Sequence, residues 1–114
     1  MDEVVHRGQI YWAWFEEEAV GREQAGRRPV MIVNGPMLSK PDFGLAWVVP
    51  LTTRDRGWFS HLPVRGCEGL DRPTFAMTEQ FRSISTKRLK KFLGWADPIT
   101  MRGVQYSIQN FLMN

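Results

Sequence analysis

The sequence predicts a mainly β fold, a small curled antiparallel barrel with one α-helix packed at its end. Three observations predict it. Short runs rich in aromatic and β-branched residues recur along the chain, separated by turns containing glycine, proline or charge. Only the last segment carries an apolar repeat at helical spacing. At 114 residues the chain has the usual size of one domain, so residues 1–114 are expected to share a single core.

The elements follow in order. Residues 7–15 (RGQIYWAWF) read as a strand. Ile10, Trp12 and Trp14 fall on one face and Tyr11, Ala13 and Phe15 on the other, and two apolar faces suit a strand covered on both sides. Residues 29–33 (PVMIV) form a second strand. Residues 34–44 (NGPMLSKPDFG) hold two glycines and two prolines and read as a loop. Residues 45–52 (LAWVVPLT) are a third strand, with Pro50 suited to a strand end, bulge or edge. A charged turn at 54–57 (RDRG) leads to a strand at 58–64 (WFSHLPV). After a turn at 65–73, residues 74–81 (TFAMTEQF) are another strand. Residues 85–91 (STKRLKK) read as one helical turn and 91–96 (KFLGWA) as a short strand.

Asp97 can cap the final helix, and Pro98 suits its first position. Met101, Val104, Ile108 and Phe111 then form one apolar stripe, which Gly103 weakens but does not break.

Composition narrows the function. No uncharged run approaches the roughly 20 apolar residues that span a bilayer, and the start of the chain lacks a basic, then apolar, secretory pattern. A single cysteine, Cys67, excludes an internal disulfide, and two histidines give no zinc spacing. A cytoplasmic protein without metal or cofactor is expected. The net charge is +3, and eleven of the fifteen basic residues are arginine, whose planar fork matches phosphate oxygens.

Charge and backbone freedom concentrate in residues 21–29 (GREQAGRRP), which hold three arginines, Glu23, two glycines and a proline. Together with residues 7–15 and 30–33, this segment resembles the N-terminal signature of the MazF/PemK toxins of toxin–antitoxin systems. Gly21, Glu23, Gln24, Ala25, Gly26, Arg28 and Pro29 match the signature without a gap. Residues 48–54 (VVPLTTR) resemble the family's Pro-x-Thr strand end. Residues 78–85 (TEQFRSIS), followed by Arg88 and Leu89, resemble its Gln-x-Arg/Lys-(Ser/Thr)-Ile segment. Residues 15–20 (FEEEAV) and the proline-rich 34–44 loop depart from the family near where it grips RNA, so the cleavage sequence is not carried over.

The resemblance implies an SH3-like barrel of the CcdB/PemK/MazF type, a symmetric homodimer, and metal-independent cleavage of single-stranded RNA. It also implies an antitoxin whose acidic, partly disordered tail covers the RNA groove. The matching arginine and threonine of the family are catalytic, here Arg28 and Thr52.

Such a reaction uses the ribose 2′-OH against the neighbouring phosphorus, and donors aimed at the developing phosphoryl charge contribute most. A free arginine is a poor base. Arg28 is therefore assigned to stabilising the phosphorane and donating a proton, and Thr52 to a hydrogen bond on a phosphoryl oxygen. Glu23 takes the 2′-OH proton, orients Arg28, or simply balances Arg22 and Arg27; the general base is unassigned. Gln24, Arg27, Arg54, Arg56 and Arg82 are candidate RNA contacts, and Gln80 a candidate reader of a base edge. Trp58 or Phe59 is a candidate stacking ring, whereas Trp12, Trp14 and Trp47 are expected in the core. His61 reads as a solvated strand histidine, Lys87, Arg88, Lys90 and Lys91 as a solvated basic face, and Cys67 as a turn residue without a base to activate it. Two rival readings are a CcdB-like toxin that binds DNA gyrase without cleaving anything, and an RNA-binding module of the same fold that has lost its activity.

Overall fold

The computed structural model describes residues 4–15, 26–35 and 44–113. Most of the 21–29 connection, including Glu23 and Gln24, and most of the 34–44 loop lie outside them. Among the described residues, seven strands precede one helix: β1 (Gln9–Trp14), β2 (Arg27–Ile32), β3 (Leu45–Thr52), β4 (His61–Pro63), β5 (Phe75–Met77), β6 (Arg82–Ser85), β7 (Leu89–Trp95) and α1 (Pro98–Met113). Short 3₁₀ turns occupy Thr78–Gln80 and Thr86–Arg88.

Every strand pair is antiparallel, in the order β4-β5-β3-β2-β1-β7, with β6 also on β3. The expected SH3-like barrel is corrected by this order: the sheet is open. Its end strands, β4 and β7, pair only with β5 and β1, and among the described residues no ladder joins them to each other. The connection between β4 and β5 packs against β7 and the start of α1 through separate contacts instead. The Asp97 amide donates to the Arg65 carbonyl at 2.8 Å, and Cys67 Sγ donates to the Leu93 carbonyl at 3.5 Å. Isolated bonds from a turn do not make the continuous pairing that closure requires.

β3 is central, yet it contains Pro50. The reason lies along its second edge. Leu45–Val48 pair with β6 and Leu51–Thr52 with β5, so Val49 and Pro50 fall where one partner gives way to the next. The missing amide of Pro50 therefore removes no bond from those ladders.

Alternation sorts side chains onto two faces. One carries Ala13, Phe15, Val30, Ile32, Ala46, Val48 and Ile84, covered in part by Val5. The other carries Ile10, Met31, Val49, Leu51 and Ala76 and receives α1 through fully buried Val104. Met101 and Ile108 pack against the same core, as the helical stripe predicts. Phe111 extends beyond it, half exposed, and meets Phe59 at 6.3 Å between ring centroids. Gly103 leaves room for Leu62, whose Cδ1 would lie 3.4 Å from an added Cβ.

Asp97 caps α1 by accepting the Thr100 amide at 2.8 Å. The Thr100 amide, then the Thr100 hydroxyl, hold the Asp97 carboxyl below its usual range against the opposing effect of burial.

Candidate active site

Strand register places Arg28 and Thr52 on one face of two adjacent strands. In the β2–β3 ladder Val30 stands opposite Pro50 and Ile32 opposite Val48. Residues two apart share a face, so Arg28 and Thr52 lie on the face of Val30 and Pro50. The β2–β3 pairing itself ends at Val30 and Pro50; beyond it Arg28 pairs with Ala13 of β1 and Thr52 with Phe75 of β5. β2 starts at Arg27, two residues before the strand read from sequence, because Arg27 and Arg28 pair with Trp14 and Ala13 of β1. Arg28 is thus held within a central strand rather than at a loop junction. Arg82, opposite Val48, shares this face, and its guanidinium lies 5.6 Å from the Phe15 ring centroid.

The segment after Thr52 is shaped by its own side chains. Thr52 Oγ1 accepts the Arg54 amide at 3.1 Å, and Asp55 Oδ1 accepts the Gly57 amide at 3.0 Å. Gly57 has a φ of +69°, a conformation that favours glycine. Arg54 and Arg56 are exposed on this loop, and Arg56 sits over the Trp58 ring at 5.2 Å.

Residues 58–60 form a turn rather than the start of a strand, with the His61 amide donating to the Trp58 carbonyl at 3.0 Å. His61 is not solvated, contrary to its sequence reading: it is 7% exposed. Its Nε2 is 2.9 Å from Glu79 Oε2, while Ser60 Oγ donates to Glu79 Oε1 at 2.7 Å. Burial raises the Glu79 pKa, but the bonds from His61 and Ser60 outweigh it and leave the carboxyl below its usual range. Nothing in sequence spacing marks this cluster, because β4–β5 pairing brings together residues 18 apart. Gln80, exposed beside Glu79, sends Nε2 towards Glu79 Oε2 at 3.4 Å.

The other candidates are dispersed. Arg27 is exposed over the Trp12 ring at 4.7 Å. Arg88 Nη1 donates to the Trp14 carbonyl at 3.0 Å, which ties part of the basic run to β1. Trp14 and Trp47, expected in the core, are 41% and 37% exposed. Burial pushes the Cys67 thiol up, which disfavours the thiolate a nucleophile needs. Among the described residues no group of three or more His, Cys, Asp or Glu could hold a metal ion, and no helix is long and apolar enough to cross a membrane.

A profile of the PemK-like, MazF-like toxins of type II toxin–antitoxin systems matches residues 6–112. The chain belongs to this family. It is a toxin with endoribonuclease activity, and its partner is an antitoxin. Solved MazF-type structures share its fold. MazF from Deinococcus radiodurans superposes with a TM-score of 0.80 at 23% identity, over 97% of this chain and 98% of that one. The MazE–MazF complex from the same organism gives 0.80 at 25% identity, over 99% and 100%. A mycobacterial endoribonuclease gives 0.76 at 19% identity, over 98% and 94%. A comparison with curated proteins finds no match.

Proposed function

We propose that Arg28 and Thr52 form the catalytic centre of a metal-independent endoribonuclease acting on single-stranded RNA. The 2′-oxygen attacks the adjacent phosphorus and the bond to the 5′-oxygen breaks, leaving a 2′,3′-cyclic phosphate and a 5′-hydroxyl. One proton leaves the 2′-OH and one reaches the departing 5′-oxygen. The Arg28 guanidinium hydrogen-bonds the phosphoryl oxygens as charge grows on them and supplies a proton on the leaving-group side. The Thr52 oxygen accepts the Arg54 amide, which leaves its hydroxyl proton to donate to a phosphoryl oxygen. Glu23 is the candidate acceptor of the 2′-OH proton.

Arg27, Arg54, Arg56 and Arg82 neutralise phosphates, Gln24 contacts RNA and Gln80 reads a base edge. The protein acts as one domain, as a homodimer in the cytoplasm, and its antitoxin covers the RNA groove with an acidic, disordered tail.

The observation that carries this reading is the β2–β3 register, which sets a part-buried arginine and a loop-capped threonine on one face of adjacent strands. The test is incubation of purified protein with RNA in EDTA. Cuts ending in 5′-hydroxyl groups are expected, and sequencing those ends gives the recognised motif. Intact RNA overturns the reading, and gyrase stalling in its place supports the CcdB-like alternative.

A further inference from the structure

Beside the exposed loop after β3 lies a packed cluster of tilted rings and polar groups that catalysis does not use. Trp58 is 50% exposed, and its inner side meets the His61 ring at 4.9 Å between centroids. His61 is held by Glu79, and Ser60 fixes the other oxygen of the same carboxylate. Thr78 completes the tie: its amide and hydroxyl both reach the Ser60 carbonyl, at 3.1 and 2.6 Å, and its hydroxyl meets Ser107 of α1 at 2.6 Å. His61 Nδ1 is buried without a hydrogen-bond partner. An orphaned buried polar atom carries a cost that a purely structural apolar residue would avoid. Accepting that cost keeps a flat ring behind Trp58 with a nitrogen left over to bond Glu79.

We infer that His61, anchored by Glu79, is a positioning residue that holds Trp58 as a stacking platform for one unpaired nucleobase, with Gln80 beside it reading that base's edge. Three features support this. Half of the Trp58 surface is exposed. Arg56, over the same ring, supplies positive charge for the adjoining phosphate. The 3₁₀ turn that presents Gln80 is pinned to the residues that fix His61. The subsite rests on the RNA-cleavage reading for its ligand class, but not on Arg28 or Thr52 for its geometry.

Binding in the Arg28→Ala background separates the two. The probe is a fluorescein-labelled single-stranded RNA containing the mapped cut site, followed by anisotropy, and a set of oligonucleotides each lacking one base. Trp58→Ala is expected to weaken binding roughly tenfold, within the range for single base–aromatic stacks. One abasic position should weaken binding to the parent protein and make no further difference to Trp58→Ala. His61→Ala should reproduce the loss with Trp58 intact, and His61→Phe, which restores a ring, should recover most of it. Gln80→Ala should flatten discrimination among the four bases at that position alone. In Arg28-intact protein, Trp58→Ala should raise KM more than it lowers kcat. Equal affinity of Trp58→Ala and its parent, or an abasic scan that Trp58→Ala leaves unchanged, overturns the inference. Trp58 is half exposed, so its variant decides the matter even if His61→Ala fails to fold. Binding that depends on Trp58 without any cleavage by wild type overturns the catalytic reading and leaves this one standing; no RNA binding at all overturns both.

Discussion

The hydroxyl oxygen of Thr52 accepts the backbone amide of Arg54 at 3.1 Å, so the side chain that ends β3 also starts the loop that follows it. One lone pair is committed to the turn and the hydroxyl proton is left to donate. Serine keeps both functions, whereas valine keeps the shape and loses both.

Thr52→Ser is therefore expected to retain most activity, and Thr52→Val to lose about 10²-fold in kcat, the scale of one lost donor at a developing oxyanion. Rates on an oligonucleotide with a mapped cut site check this. Equal loss in both variants would point to the methyl group and packing rather than to the hydroxyl.

Stability should fall in acid. Glu79 and Asp97 both have folded pKa values below their unfolded ones. Protonation therefore favours the unfolded chain. Their contribution is complete above the unfolded values, near pH 4, and disappears as pH falls through the folded values. Thermal unfolding followed from pH 7 to pH 2.5 should show a drop in Tm below about pH 4. Glu79→Gln and Asp97→Asn should each start from a lower Tm at pH 7 and fall less steeply. Slopes equal to wild type would show that other carboxylates carry the acid sensitivity.

Gly69 marks how closely the 64–73 turn approaches β7. A Cβ there would lie 2.9 Å from the carbonyl carbon of Leu93 and closer still to its oxygen. Backbone cannot give way as a flexible side chain does, so Gly69→Ala should destabilise by about 1–3 kcal/mol. Gly35→Ala, with nothing within 4 Å of the added atom, should stay within about 0.5 kcal/mol of wild type. Urea unfolding midpoints decide between these. An unshifted midpoint for Gly69→Ala would mean that the turn does not sit against β7.

The sequence was most readable where periodicity and punctuation agreed. Runs of aromatic and β-branched residues marked β1 and β3, and Asp97-Pro98 marked the start of α1. It was least readable where pairing partners decide. Arg27 and Arg28 carry no strand pattern, yet β1 recruits them into β2. Arg82–Ser85 became a strand because the first half of β3 had a free edge. The barrel expectation failed for a related reason: local patterns give strands but not whether the two end strands meet. At the site, Arg28 and Thr52 were named through motif resemblance, and register places them on one face of β2 and β3. The burial of His61 was missed, because a lone histidine followed by leucine gives no sign of a carboxylate 18 residues away.

The central claim is that the Arg28 guanidinium stabilises charge on the rearranging phosphodiester. Its most direct test is the single-turnover cleavage rate in EDTA of wild type, Arg28→Ala and Arg28→Lys, with folding checked by circular dichroism. The account predicts folded variants, a loss of at least about 10²-fold in Arg28→Ala, and only partial recovery with lysine, which lacks the planar fork. A folded Arg28→Ala protein that cuts the same RNA at the wild-type rate would contradict it.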